Sequence, residues 1–397
     1  MSEYQYYEFQ AIDRPLDEAA QGALRQISTR ARITARSLVN TYQWGDFKGD
    51  PRRLIEDWFD LFVYWANWGS RTLMLRVPRR FLDPAEVEPY RLEDVVDLRA
   101  VGDYVIVEFH RPLGDSVDDF YGDEDEEGEE SISAPFAALR ADLMRGDRRC
   151  LYFGWLLGVQ EGLVDEDEPE PPLPSGLARA SGPLVAFRDF FGLDRDLFDA
   201  AIGGGADEPV PDPSPDELGA FVAQLPDAEK TSLLRRVVLE NDPHVALDVR
   251  HRWSATVRTP ELAAARKPRT AGELLAAAEV RAQERERLAA ERAAAEQARH
   301  AEQERKAREQ RLARLAGRVE EAWREVDALA ETKKPAEYDK AVGLLKDLEA
   351  LADRDGKIEE FRRRFGRLRD RHERKTALLK RLIAVGLNYP GTAASPG

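Results

Sequence analysis

The stretch Asp50–Gly69, DPRRLIEDWFDLFVYWANWG, decides how the front of this 397-residue chain is read. Asp50-Pro51 is a helix start: an aspartate cap accepts backbone N–H groups, and proline at the first helical position gives up no hydrogen bond. Leu54, Trp58, Leu61, Phe62 and Trp65 then recur at helical spacing and form one wide apolar face. Gly69 suits a C-terminal end. The spacing predicts a helix through most of the stretch.

Strands lie on either side. Tyr4–Ile12 is rich in aromatics and is broken by Asp13-Arg14-Pro15. Leu24 and Ile27 predict a helix over 17–32, and Ser37–Trp44 a second strand. Beyond Gly69, Leu73, Leu75 and Val77 alternate with Thr72, Met74 and Arg76, and 95–99 with 104–110 make a hairpin around Val101-Gly102-Asp103. The expected fold class is α+β. Residues 1–112 form one domain, a small sheet with two helices on one face. The short β-α-β spacing favours some parallel pairing with right-handed crossovers.

The next segment, 113–134, is expected to be a disordered acidic loop, since nine of the thirteen residues Asp118–Glu130 are acidic. Residues 135–258 read as an all-helical domain, interrupted by an extended acidic, proline-rich connector at 165–176 and a Gly203–Pro213 link. Thr270 and Glu273 match a capping box that opens a long charged helix over 270–331. Some 60 helical residues would span roughly 90 Å at ~1.5 Å each. Within it, 283–311 hold one large aliphatic, Leu288. That part is either a solvated helix held by i,i+4 ion pairs or an alanine-rich packing helix. Leu312, Leu315, Val319, Ala322, Val326 and Leu329 then make an a/d seam. A helical hairpin over 332–384 completes an antiparallel three-helix bundle with 312–331, the same seam also allowing self-association. Residues 388–397 read as a disordered tail.

Composition narrows the function. Residues 1–260 carry 28 Lys/Arg and 50 Asp/Glu, a net of −22, and 261–397 carry 31 and 25, a net of +6, together the chain's −16. An acidic front repels nucleic acid and anionic membrane at long range. One cysteine, Cys150, excludes an intramolecular disulfide framework and sits in an apolar run that suits a buried thiol. The N-terminus lacks the pattern of a signal peptide, and no apolar run reaches the ~20 residues of a membrane span, so a cytoplasmic setting is expected.

Few residues carry chemistry. His244, Asp248 and His251 fall on one helix face and could hold zinc or iron, although His-Glu-x-x-His is absent. The loop Tyr42–Asp50 joins a strand to a helix start, with Trp44 and Lys48 suited to a partner. Trp68 and Trp323 are further partner-binding candidates. Arg363 and Arg367 belong to an arginine-rich face of the last helix that could meet phosphates, among interleaved acids. There is no Gly-x-Ser-x-Gly and no kinase set, and no catalytic residue or cofactor is predicted.

Asn40–Pro51 (NTYQWGDFKGDP), Tyr152–Gln160 (YFGWLLGVQ) and Arg371–Lys375 with Leu378-Leu379 resemble a group of uncharacterised proteins from high-GC bacteria. The resemblance spans most of the chain and implies no activity and no site residue. The expectation is a non-enzymatic scaffold subunit of a bacterial cytoplasmic multi-protein system, with a helical rod spacing two binding surfaces. It would bind protein partners and no membrane. The alternatives are a nucleic-acid-associated accessory protein using the arginine face, and a metal-dependent enzyme around His244, Asp248 and His251.

Overall fold

A computed structural model describes residues 3–111, 131–203, 213–257, 268–332 and 334–389. The acidic run 118–130, most of the Gly203–Pro213 link and all but the first two residues of the expected tail lie outside them. The fold is α+β, an antiparallel sheet followed by helices. The strands are β1 (Gln5–Gln10), β2 (Arg32–Ile33), β3 (Ser37–Tyr42), β4 (Leu61–Ala66), β5 (Arg71–Pro78), β6 (Val96–Val101) and β7 (Tyr104–Arg111). They line up in the order β2-β3-β1-β4-β5-β7-β6. Every neighbouring pair is antiparallel, so the expected parallel pairing is corrected. The first strand lies inside the sheet, flanked by β3 and β4.

The opening stretch is corrected too. The helix α2 (Pro51–Asp57) starts as predicted, with the Asp50 carboxylate accepting from the N–H groups of Arg52 and Arg53. It stops at Asp57, and Leu61–Ala66 is a strand. That strand is covered on both faces, so it shows no polar alternation, and a continuous apolar run does not distinguish strand from helix.

Alternation in the other strands sorts the side chains. Phe9, Leu38, Phe62, Met74 and Ile106 share a core with Leu24 of α1 (Glu18–Ile27) and with Leu54 and Ile55 of α2. Leu61, Leu73, Leu75, Val107 and Phe109 point the other way, into α4 (Ala134–Met144), α5 (Arg149–Gln160) and α6 (Gly182–Phe191). The short α3 (Pro84–Val87) joins that second core through Val87. Sheet and middle helices therefore share one core, where a separate helical domain over 135–258 was expected. Every residue from Cys150 to Val159 is buried, as in a helix that is apolar all round. Gly154 makes its close approach possible, since a Cβ there would sit 2.7 Å from Phe109 and Val96.

Further along are α7 (Arg195–Ile202), α8 (Pro215–Gln224), α9 (Asp227–Leu239) and α10 (Val245–Val257). The connector at 165–176 is built into this unit. Its backbone pairs with the start of α11 (Ala271–Ala316), through Glu170 N–H to Arg269 O at 2.7 Å and Ala271 N–H to Glu168 O at 2.9 Å. The Glu170 carboxylate meets the Arg269 guanidinium at 3.0 Å and the Tyr152 hydroxyl at 2.7 Å. The capping box at Thr270 and Glu273 is formed.

The chain divides into two compact units, 1–285 and 286–397. In the second, the long helix ends at Ala316, and α12 (Val319–Glu331) restarts after Gly317-Arg318. With α13 (Pro335–Arg354), α14 (Ile358–Arg371) and α15 (Thr376–Ala384) it surrounds a core of Leu315, Val326, Leu345, Phe365 and Leu382. The seam from Leu312 to Leu329 is thus covered by its own chain, which corrects the idea that it is a self-association surface.

Candidate functional site

Strand register sets five polar side chains in one row on the α1/α2 face. Tyr7 pairs with Asn40 and with Tyr64, Tyr64 with Thr72, and Thr72 with His110. At the β1 end, the Tyr7 and Tyr64 hydroxyls both donate to Gln5 Oε1, at 2.7 and 3.3 Å. Gln5 Nε2 in turn donates to Gly45 O and to Asp46 Oδ1, fastening the 43–50 loop to the sheet. Burial raises both phenols above the ordinary tyrosine range, so they act as neutral donors. Phe47 packs on Tyr7 at 5.2 Å and holds the loop down. Trp44 stands out from it, 77% exposed, and Lys48 is exposed.

At the other end, Thr72 Oγ1 lies 3.1 Å from His110 Nδ1, and His110 Nε2 lies 2.6 Å from Glu108 Oε1. Glu108 is buried and also accepts from Arg52 Nε of α2 at 3.1 Å. Burial pushes the Glu108 carboxyl up, but the His110 and Arg52 contacts outweigh it and hold the group below the usual range. Thr72 and His110 are half-buried, within reach of solvent. The sequence reading missed this trio. Its one legible sign is Glu108 and His110 two apart on a strand, which puts both on one face. Thr72 joins them only through the β5–β7 register.

The expected metal ligands are drawn into ion pairs instead. His244 Nε2 bonds Asp13 Oδ2 at 2.8 Å, while Asp248 is held by Arg80 at 3.2 Å and by Arg236. His251 sets its ring edge-on to Phe81, 6.1 Å between centroids. Among the described residues no group of three or more His, Cys, Asp or Glu can hold a metal ion. Asp13 is shared with Arg140, which lies 3.6 Å from Asp60, itself paired with Arg76 at 2.9 Å. This chain of charges ties the sheet to α4 and to the start of α10.

The other candidates separate. Trp323 is a core residue, against Phe361 at 5.5 Å with the Arg364 guanidinium over its ring, so it is not a free anchor. Trp68 is half-buried and donates to Ser70. Arg363 and Arg367 are exposed. On the same helix, Arg364 and Arg371 are committed to Glu320 at 2.7 Å and Asp327 at 2.9 Å, and the latter two acids dilute the face for phosphates. Cys150 is buried, and desolvation raises its thiol far above the reactive range.

One group of exposed aliphatics among the described residues is one the sequence reading passed over. Neither α8 nor α9 has a buried residue. Leu234, Val237, Val238 and Leu239 are exposed on α9, and Val222 on α8. The acids Asp216, Glu217, Asp227 and Glu240 are exposed along the same two helices. No protein-family model, no curated protein and no solved structure matches the chain.

Proposed function

We propose that this protein is an interaction subunit that docks a partner protein on the α8–α9 face. The observation that carries the reading is the four exposed aliphatics Leu234, Val237, Val238 and Leu239 within six residues. Single exposed aliphatics are ordinary, but a contiguous group rimmed by charge marks a docking surface. Exposed Arg235 and Glu240 adjoin the group, further exposed acids lie along the two helices, and the first 260 residues carry a net charge of −22. A partner with an amphipathic helix flanked by Lys and Arg complements both features. Exposed Trp44 offers a second, smaller contact. We place the subunit in the cytoplasm, a setting that suits an unpaired, buried Cys150.

The test is affinity capture from the source organism with wild-type chain and with Leu234→Asp/Val238→Asp. The expected result is a stable, basic partner held by the wild type and lost from the double variant, with unchanged thermal stability because both positions are exposed. Equal recovery on the two baits would refute the assignment.

A further inference from the structure

We propose that Thr72, His110 and Glu108 hydrolyse carboxylic esters of short acyl groups, with Thr72 as nucleophile, His110 as general base and Glu108 as the positioning residue. The proposal goes beyond the interaction reading and does not rest on it. It begins from the proton count. Glu108 is buried beside Arg52 and accepts from His110 at 2.6 Å. An ionised carboxylate at Nε2 fixes the imidazole proton there and leaves the lone pair on Nδ1. The group facing Nδ1 is the Thr72 hydroxyl at 3.1 Å, which donates in that tautomer. A hydroxyl donating to a neutral imidazole, itself oriented by a buried carboxylate, is the arrangement that activates a nucleophile.

Two other carboxylate networks of the first unit differ in kind. Glu8 accepts from Tyr6, Gln10 and Ser133, and Asp13 is shared by Arg140 and His244. Neither network places a hydroxyl on the far nitrogen of a histidine. At Thr72 both reacting groups are half-exposed, so a substrate can reach them. Arg52, bonded through Nε to the Glu108 carboxylate, helps to keep that group ionised. Tyr64 and His110 flank Thr72 as direct cross-strand neighbours, about 5 Å away between Cβ atoms, which limits the acyl group to a short one.

The step balances without a cofactor. Thr72 Oγ1 bonds to the ester carbonyl carbon as its proton passes to His110 Nδ1. The ester C–O bond breaks, and the departing alcohol takes that proton, leaving acyl-Thr72. Water gives a proton to the same nitrogen, attacks the acyl carbon and releases the carboxylic acid, and Thr72 recovers its proton.

The experiment uses the full chain with p-nitrophenyl acetate, following p-nitrophenolate release and mapping the acetyl group by peptide mass spectrometry after acid quenching. Acetyl on Thr72 is expected. Thr72→Val and His110→Gln should each lower the rate by about 100-fold or more, the usual contribution of such a group, and Thr72→Ser should retain it. Glu108→Gln should lower kcat with little change in KM. Wild-type release no faster than that of Thr72→Val, or acetyl found on lysines and not on Thr72, would overturn the proposal. If Thr72→Val fails to fold by circular dichroism, the acetyl map of the wild type and the Thr72→Ser rate decide.

Discussion

Arg140 is the residue on which the first unit's polar interior turns. It is 3% exposed at its side chain and lies between Asp13 at 2.6 Å and Asp60 at 3.6 Å. Without Arg140, Asp13 keeps only His244 and Asp60 only Arg76, so Arg140→Met should destabilise the unit by up to ~3–5 kcal/mol in urea unfolding. An unchanged midpoint would show that water reaches the two acids. Asp13 adds a pH dependence. Burial pushes its carboxyl up, but hydrogen bonds from His244 and Arg140 outweigh that and hold it well below the carboxylate range. The unfolded chain takes up its proton near pH ~3.9, before the folded one does. Stability from Asp13 is therefore complete above about pH 5 and is lost as pH falls through the folded pKa. Asp13→Asn should flatten the acid limb of a urea-midpoint-against-pH curve.

At the scale of elements, α11 is the unusual one. All residues from Gln283 to Arg311 are exposed, with i,i+4 ion pairs Arg287–Glu291 at 3.0 Å and Glu302–Lys306 at 2.8 Å. Of the two sequence readings, the solvated helix is the one found. A peptide of residues 283–311 should be partly helical by circular dichroism at low salt and less so in 1 M salt, because each pair contributes only about 0.2–0.5 kcal/mol. A peptide that is coil at both salts would mean the segment is helical only within the chain. Helices with caps were legible in the sequence, as at Asp50 and Thr270. Strand β4 was not, because burial on both faces removes the period of two. The Thr72–His110 contact was not legible either, since it depends on pairing between strands 38 residues apart. The α8–α9 face was hidden for a different reason: α10 packs against both helices, and only the fold shows which of their aliphatics it leaves exposed.

At the scale of the whole molecule, separate cores serve residues 1–285 and 286–397. Calorimetry should resolve two transitions, and Phe365→Ala, at a fully buried site, should lower the second unit's alone by ~3–5 kcal/mol. A single transition shifted as a whole would contradict independent units. The second unit should also weaken in mild acid. Burial pushes the His372 imidazole below its ordinary range, helped by Lys375 and against the pull of Asp327. The unfolded chain then binds more protons below pH ~6.5, so stability is full above that value and declines as pH falls toward the folded pKa.

Hydrogen–deuterium exchange on the captured complex against the free chain reads whether a partner covers the α8–α9 face. Slower exchange across 215–239 in the complex is expected, with 283–311 unchanged. Protection confined to other segments, with 215–239 exchanging as in the free chain, would contradict it.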